Sequence, residues 1–247
     1  MNAPITIRAF RAVEEPETCE QFFEGHVNVL RSYGVNPISS AKREWFINPA
    51  VYGLIAEQQG KFVGGVKVHK VGGSQWLPVE EGVGYLDEKI FDTVIKYAPK
   101  GAGEACGLWN AQEVAGMGVS YILSRAIIVL SYHLNIKRLF ALSSDHTINM
   151  FRELGFQVIR SVGQHGDFIY PSPDYISRVI IVNAETLSTA TPYNRDIMFS
   201  LRETPNQIRK ETGPKGEIEI HYQLHPSKWD EISHRQLQLA TADKKHV

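Results

Sequence analysis

The residues best placed to do chemistry in this 247-residue chain lie between Glu104 and Val119. The segment Glu113-Val114-Ala115-Gly116-Met117-Gly118 stands between a strand-like stretch, Glu104 to Asn110, and a long apolar stretch that reads as a helix. Backbone N–H groups at a helix N-terminus point outward, and the helix dipole places partial positive charge there. Glycines that let a ligand approach such an end make a phosphate site, and a pyrophosphate would fit. A tight turn with no ligand accounts for the same Gly-x-Gly. The Rossmann and P-loop versions are excluded, because no Gly-x-Gly-x-x-Gly follows an early strand and no Gly-Lys-Ser/Thr closes the loop. Cys106 shares a strand face with Glu104 by the period-two rule. A free Cys is mostly a small core residue, and no His stands beside this one in sequence to activate it. The nine His residues show no His-Glu-x-x-His or comparable spacing, so no metal site is expected.

Composition narrows the class of partner. Lys plus Arg number 26 against 27 for Asp plus Glu, a formal charge of -1 that leaves no electrostatic footprint for nucleic acid or an anionic membrane. Two cysteines, Cys19 and Cys106, are too few for a disulfide framework and suit a reducing, cytoplasmic setting. The N-terminal residues lack the pattern of a signal peptide. The longest apolar run, Ala126 to Leu130, is far short of the ~18 residues a membrane-spanning helix needs.

Periodicity supplies the elements that must hold the loop in place. Ile5 to Phe10 reads as a strand and Glu17 to Tyr33 as a helix stopped by Gly34. Tyr52 to Glu57 and Lys61 to Val71 read as an antiparallel hairpin around Gln58-Gln59-Gly60. In its second strand Phe62, Gly64, Val66 and Val68 share one face, while Val63, Gly65, Lys67 and His69 share the other. The Gly64-Gly65 pair marks a bulge or a close approach of backbone or ligand. Pro78 to Gly84 reads as a loop, Tyr85 to Tyr97 as an amphipathic helix, and Gly116 to Leu134 as a largely buried helix. Lys137 to Leu142 reads as a strand, Asp145 to Leu154 as a helix capped by Ser144 or Asp145, and Phe156 to Val162 as a further strand. Beyond these, Gly163 to Tyr175 reads as a loop, Arg178 to Asn183 as a strand and Asn194 to Glu203 as a helix. Glu217 to Leu224 alternates without error, with Ile218, Ile220, Tyr222 and Leu224 on one face. The tail from Lys228 carries little core signal, and Ala240 to Val247 should fray.

This order of elements, together with Gly60 to Val68, Glu104 to Leu123 and Asp145 to Phe156, resembles the GNAT superfamily of N-acyltransferases over about Ile5 to Val162. The resemblance implies a mixed α/β sheet with antiparallel N-terminal strands and a splayed parallel pair at the cofactor site. It divides the chain into a core at 1–162 and a C-terminal α/β extension at 163–247. It also implies acetyl-CoA or another acyl-CoA as co-substrate and no metal. The pyrophosphate would lie on the backbone of Val114, Ala115, Gly116, Met117, Gly118 and Val119, and the pantetheine beside Leu108, Trp109 and Asn110. Two residues depart from the family pattern. Glu113 stands where Arg or Gln is usual, and a carboxylate there repels phosphate unless it points away. Phe151 stands where a Tyr commonly protonates the departing thiolate, leaving His146 or solvent for that role.

Acyl transfer to an amine needs a neutral nucleophile, because an ammonium of pKa ~10 has no lone pair to attack with. The resemblance places the base at Glu104, which is otherwise an ordinary carboxylate paired with Lys or Arg. A backbone N–H near Leu108 or Trp109 would hold the oxyanion. Trp76 and the Tyr85 to Tyr97 helix form either plain core or a wall of the substrate cleft. Gln164 to Tyr170 is either a substrate rim or turn chemistry. The implied function is transfer of an acyl group to a small-molecule amine or amino acid. Two alternatives stand beside it: a GNAT-like binding protein without catalysis, and an N-acyl synthase drawing on acyl-carrier protein. Homo-oligomerisation is left open by the sequence.

Overall fold

The computed structural model describes residues 3–32, 34 and 42–225. Tyr33 and the tail from Lys228 onward, including Ala240 to Val247, lie outside them. Sixteen elements follow in chain order: β1 (Ile5–Arg11), α1 (Pro16–Ser32), β2 (Val51–Gln58), β3 (Lys61–Lys70), α2 (Pro78–Val83), α3 (Lys89–Tyr97), β4 (Ala102–Asn110), α4 (Val119–His133), β5 (Arg138–Ser144), α5 (Ile148–Glu153), β6 (Gln157–Val158), β7 (Asp167–Ile169), β8 (Ile176–Asn183), α6 (Pro192–Glu203), β9 (Asn206–Gly213) and β10 (Gly216–Gln223). The strands form one mixed sheet, β6-β8-β5-β4-β3-β2-β1-β10-β9, with β7 pairing on β8. Only β4–β5 and β1–β10 run parallel.

Alternation decides which helix each strand face meets. Val66 and Val68 of β3 join the cluster built on α4, with Leu54, Ile122, Leu123 and Ala126. The opposite face meets α1 and a short turn of helix at Glu44–Ile47, where Phe22, Trp45 and Trp109 form a second cluster. The expected faces hold from Gly64 onward and invert before it: Phe62 packs on the α1 side and Val63 on the α4 side. The cause is a register shift between Ala56 and Glu57, and a one-residue slip sends every side chain to the other face. Gly64 and Gly65 mark close approaches. A Cβ on Gly65 would lie 2.6 Å from the Phe22 ring, and one on Gly64 3.2 Å from Val119.

Several boundaries move for local reasons. Pro78 to Gly84 is largely helical, because Pro78 sits at a first-turn position that needs no N–H and the Glu80 carboxylate accepts from the Leu77 N–H at 2.7 Å. Tyr85 to Glu88 precede α3, and Gly116 to Gly118 precede α4, where two positive φ angles exclude helix. Helix α5 begins at Ile148, since Asp145 pairs with Arg178 instead of capping. Of Phe156 to Val162 only Gln157 and Val158 are strand, and β7, inside the expected Gly163–Tyr175 loop, takes a further stretch of the β8 edge. The polar strand β9 carries no apolar alternation that would reveal it; Glu211 is its one buried residue.

The C-terminal part completes the sheet at both ends. Strand β8 pairs along the whole of β5. Strand β10 lies against β1, with Ile218, Ile220, Tyr222 and Leu224 buried in the α4 cluster. A chain ending at Val162 is expected to lose cooperative unfolding and to aggregate, because α4 and β5 would expose these faces. Urea unfolding followed by far-UV circular dichroism checks this; a soluble, cooperative and active fragment would contradict it.

Candidate active site

Strands β4 and β5 are hydrogen-bonded only where Ala102–Glu104 meet Arg138–Phe140. Beyond Glu104 they part, and a cavity of ≈ 260 Å³ opens between them. Glu104, Cys106, Leu108, Leu142, Phe151 and Tyr170 are among its walls. Strand β4 also carries a bulge. Gly65 faces Trp109 and Lys67 faces Cys106, so Gly107 and Leu108 together oppose Val66. Gly107 has φ +61, which favours glycine, and a Cβ there would lie 2.9 Å from Lys67 Nζ and push that ammonium aside. A bulge leaves a backbone group unpaired on the ladder.

Glu104 is 1% exposed. Its Oε2 accepts from the Val79 N–H at 2.6 Å. Burial pushes the carboxyl up to about 8, against the pull of that N–H and of the Lys67 ammonium. A base in that range is matched to work near neutral pH. Lys67 is fully buried, its ammonium 5.2 Å from the Trp45 ring centre and 5.7 Å from that of Phe22. His69 is the direct cross-strand partner of Glu104, as Lys67 is of Cys106. His26 of α1 lines the same cavity, and burial together with Lys67 lowers its imidazole to about 3, so it is neutral.

The other sequence candidates divide sharply. Burial pushes the Cys106 thiol up to about 12, so it stays protonated, and the residue is half-buried in the cavity wall instead of in the core. His146 is exposed and outside the cavity wall, whereas Phe151 is in it, ring to ring with Phe156 at 5.1 Å. Residues on that wall that carry hydroxyl groups are Ser144, Thr147, Tyr170, Tyr175 and Ser177. Leu108 lines the cleft, but the Trp109 ring turns to the α1 side, edge-on to Phe22, where a Cβ on Gly25 would strike it at 2.3 Å. Asn110 Oδ1 accepts from Ser120 Oγ, tying β4 to the first turn of α4. Trp76 is exposed and packs on Phe91 of α3 at 4.5 Å.

The glycine loop lies where β4 feeds into α4. Gly116 and Gly118 have φ +84 and +80, and Gly118 is the N-cap. Val114 and Val119 are buried beneath the loop while Glu113 is exposed. The turn between β9 and β10 sits on it. The Lys215 N–H donates to the Gly116 carbonyl at 2.9 Å, and a Cβ on Gly213 would lie 2.4 Å from Met117. Sequence reading missed this contact, the bulge at Gly107 and the buried Lys67 and His69. The last two carried a signal, two polar residues alternating within an apolar strand.

The splayed parallel pair, the bulge and the glycine loop entering α4 together define a GNAT-type fold. In the solved structure of FeeM, an N-acyl amino acid synthase from uncultured soil microbes, 12% of residues are identical at a TM-score of 0.59, covering 79% of this chain and 99% of that one. BjaI, a CoA-dependent acyl-homoserine lactone synthase, gives 14% identity and a TM-score of 0.53 over 86% of this chain and 95% of its own. An acyl-CoA N-acyltransferase from Pseudomonas aeruginosa gives 9% and 0.50 over 72% and 99%. No protein-family profile matches the chain, and no curated protein sequence does. Among the described residues no helix is long and apolar enough to cross a membrane, and no group of three or more His, Cys, Asp or Glu could hold a metal ion.

Proposed function

We propose that the chain is an acyl-CoA-dependent N-acyltransferase that moves the acyl group directly to the amine of a small molecule or amino acid, with acetyl-CoA the simplest donor. The observation that carries this reading is Glu104, a buried carboxylate with its pKa about 8, set where β4 and β5 separate. The thioester would lie in the splay beside Leu108. Glu104 takes a proton from the acceptor ammonium, and the free amine attacks the thioester carbonyl. The bulge at Gly107 and Leu108 offers a backbone N–H to the oxyanion as it forms. The tetrahedral intermediate expels the thiolate, and the second proton lost by the nitrogen reaches that thiolate by way of solvent or the hydroxyls of Tyr170 and Tyr175 on the cavity wall. Phe151 has none to give.

The pyrophosphate would be held by the Val114 to Val119 backbone, where the first turn of α4 leaves its N–H groups without intrahelical partners. Gly116→Ala is expected to weaken acetyl-CoA binding ~10-fold or more, since close approach of phosphate tolerates little Cβ bulk. It should cost ~1–2 kcal/mol of stability for a left-handed non-glycine residue, with a further loss from the Lys215 side chain, which a Cβ would meet at 2.9 Å. Calorimetry and thermal melts on one preparation separate the two effects; unchanged affinity in the folded variant would remove the loop from donor binding. A second reading, an acyl-carrier-protein donor, is favoured by the β9–β10 turn resting on the loop and by the carboxylate of Glu113, which suit a donor without the nucleotide. Titrating acetyl-CoA, a longer acyl-CoA and acyl-carrier protein, then assaying turnover with a panel of amines, tests both. Binding without turnover would leave a ligand-binding protein.

A further inference from the structure

We propose that Lys67 is a positioning residue of the β4–β5 cleft: its ammonium, buried behind Gly107, is the fixed positive charge that favours Glu104 as a carboxylate in the same wall. The inference rests on the acyltransferase reading above, which needs Glu104 as a base. Lys67 is fully buried and is not among the residues that line the cavity, so it acts on the chemistry through the groups that do. Its place is set by the register of β3 on β4. Lys67 is the cross-strand partner of Cys106 and His69 that of Glu104, so Lys67 and Glu104 are diagonal neighbours on the α1 face of the sheet. Diagonal neighbours lie ~7–8 Å apart, within reach of a long side chain.

The ammonium is held on three sides. The rings of Trp45 and Phe22 flank it, their centres 5.2 and 5.7 Å away. On β4 it donates to the Cys106 sulfur, a thiol that also feels the Glu104 charge. Towards the cleft it meets Gly107, whose missing side chain lets it approach: a Cβ there would lie 2.9 Å from Lys67 Nζ and 3.5 Å from the His26 ring. Gly107, Cys106, Glu104 and His26 all line the cavity. The charge therefore sits one backbone layer behind the wall that carries Glu104.

Burying an ammonium is costly, and a methionine would fill the same space between the rings without that cost. A charge kept there acts on whatever titrates nearby, because the low dielectric of the interior screens it little. The described titratable groups facing Lys67 are Cys19 and His26 on α1, His69 on β3, and Glu104 and Cys106 on β4. It favours the deprotonated form of each. In the cavity wall it pulls the Glu104 carboxyl down against burial and helps to keep the His26 imidazole neutral. The other charged groups acting on Glu104, Glu80 and Glu81 of α2, push its carboxyl the opposite way, and the Val79 N–H adds to the pull. Without Lys67, burial and two acidic neighbours would take the carboxyl further above neutral, where too little of it is ionised to accept the acceptor's proton.

The test uses the full chain with acetyl-CoA and the best amine of the panel. Wild-type kcat/KM should rise with pH until the carboxyl, at about 8, is ionised. Lys67→Met and Lys67→Gln are expected to displace that limb upward by ~1 pH unit or more, the effect of removing a nearby opposite charge. At neutral pH kcat/KM should then fall ~10-fold or more, with KM for acetyl-CoA unchanged and activity recovering as pH passes the displaced limb. The carbon-13 resonance of the Glu104 carboxyl, assigned by its absence from Glu104→Gln, should shift its midpoint in the same direction. A structural lysine predicts lost rate with an unmoved profile, so a limb at the wild-type position in the folded variants would overturn the proposal whatever the loss of rate. Failure of both variants to fold, judged by far-UV circular dichroism, would assign the ammonium to the core and overturn it too. Absence of wild-type turnover with every donor and amine would overturn the acyltransferase reading and the positioning role with it, an outcome distinct from an unmoved limb.

Discussion

Glu104→Gln is expected to lower turnover on the true acceptor by ~10²–10⁴-fold, the range for losing a general base, while donor affinity should barely change because the proposed phosphate contacts lie on a separate loop. Glutamine keeps the shape of the side chain and cannot take a proton. In the wild type kcat/KM should rise with pH until the carboxyl, at about 8, is ionised. In the variant it should go on rising as more acceptor becomes neutral. Stability supplies a second readout. The native carboxyl binds its proton up to about 8, whereas an unfolded Glu releases it near 4.5. Between those values the folded state holds the extra proton, so this group's contribution falls as pH rises. Glu104→Gln has no such dependence, and its melting temperature should gain on the wild type between about pH 5 and pH 8.5. A stable variant with near-normal turnover would remove Glu104 from the mechanism.

Glu211→Ala is expected to be the most destabilising single change in the C-terminal part. Glu211 Oε2 accepts from Arg125 Nη2 at 2.6 Å, with both side chains almost wholly buried. Its Oε1 accepts from the Tyr222 hydroxyl at 2.8 Å, and Asn194 of α6 meets the same guanidinium. Removing the carboxylate strands a buried charge on α4, which costs ~3–5 kcal/mol. At ~2–4 °C per kcal/mol for a chain of this size, the melting temperature should drop ~6–20 °C. The double change Arg125→Met with Glu211→Leu should recover most of it, since apolar replacement of a buried pair is often neutral. Urea unfolding of the wild type and the two variants measures this. A single variant within ~1 kcal/mol of wild type would show that the charge finds water. The pair matters to the site because α4 starts at the glycine loop and the β9–β10 turn rests on it.

Sequence patterning reached as far as local physics extends. Strand β10 was legible because alternate residues of a half-buried strand must differ in polarity, and α4 because a helix without a polar face has to be covered on all sides. The Gly-x-Gly ahead of α4 was legible because positive φ selects glycine. Even local signals failed where two devices share residues: Pro78 opens α2 although Pro and Gly also mark loops.

The amino-acid sequence by itself determined the order of the elements other than α2, β7 and β9, the glycine loop, the carboxylate on β4 and the absence of a cationic residue at Glu113 and of a hydroxyl at Phe151. Only the tertiary structure decided what surrounds that carboxylate. Lys67 and His69 are buried and opposite Cys106 and Glu104 because of cross-strand register, and the bulge at Gly107 shifts that register by one residue. Arg125 meets Glu211 across 86 positions of chain. Pairings of this kind depend on how separate strands align, which no local periodicity encodes, and the depth of burial that raises the Glu104 carboxyl follows from them.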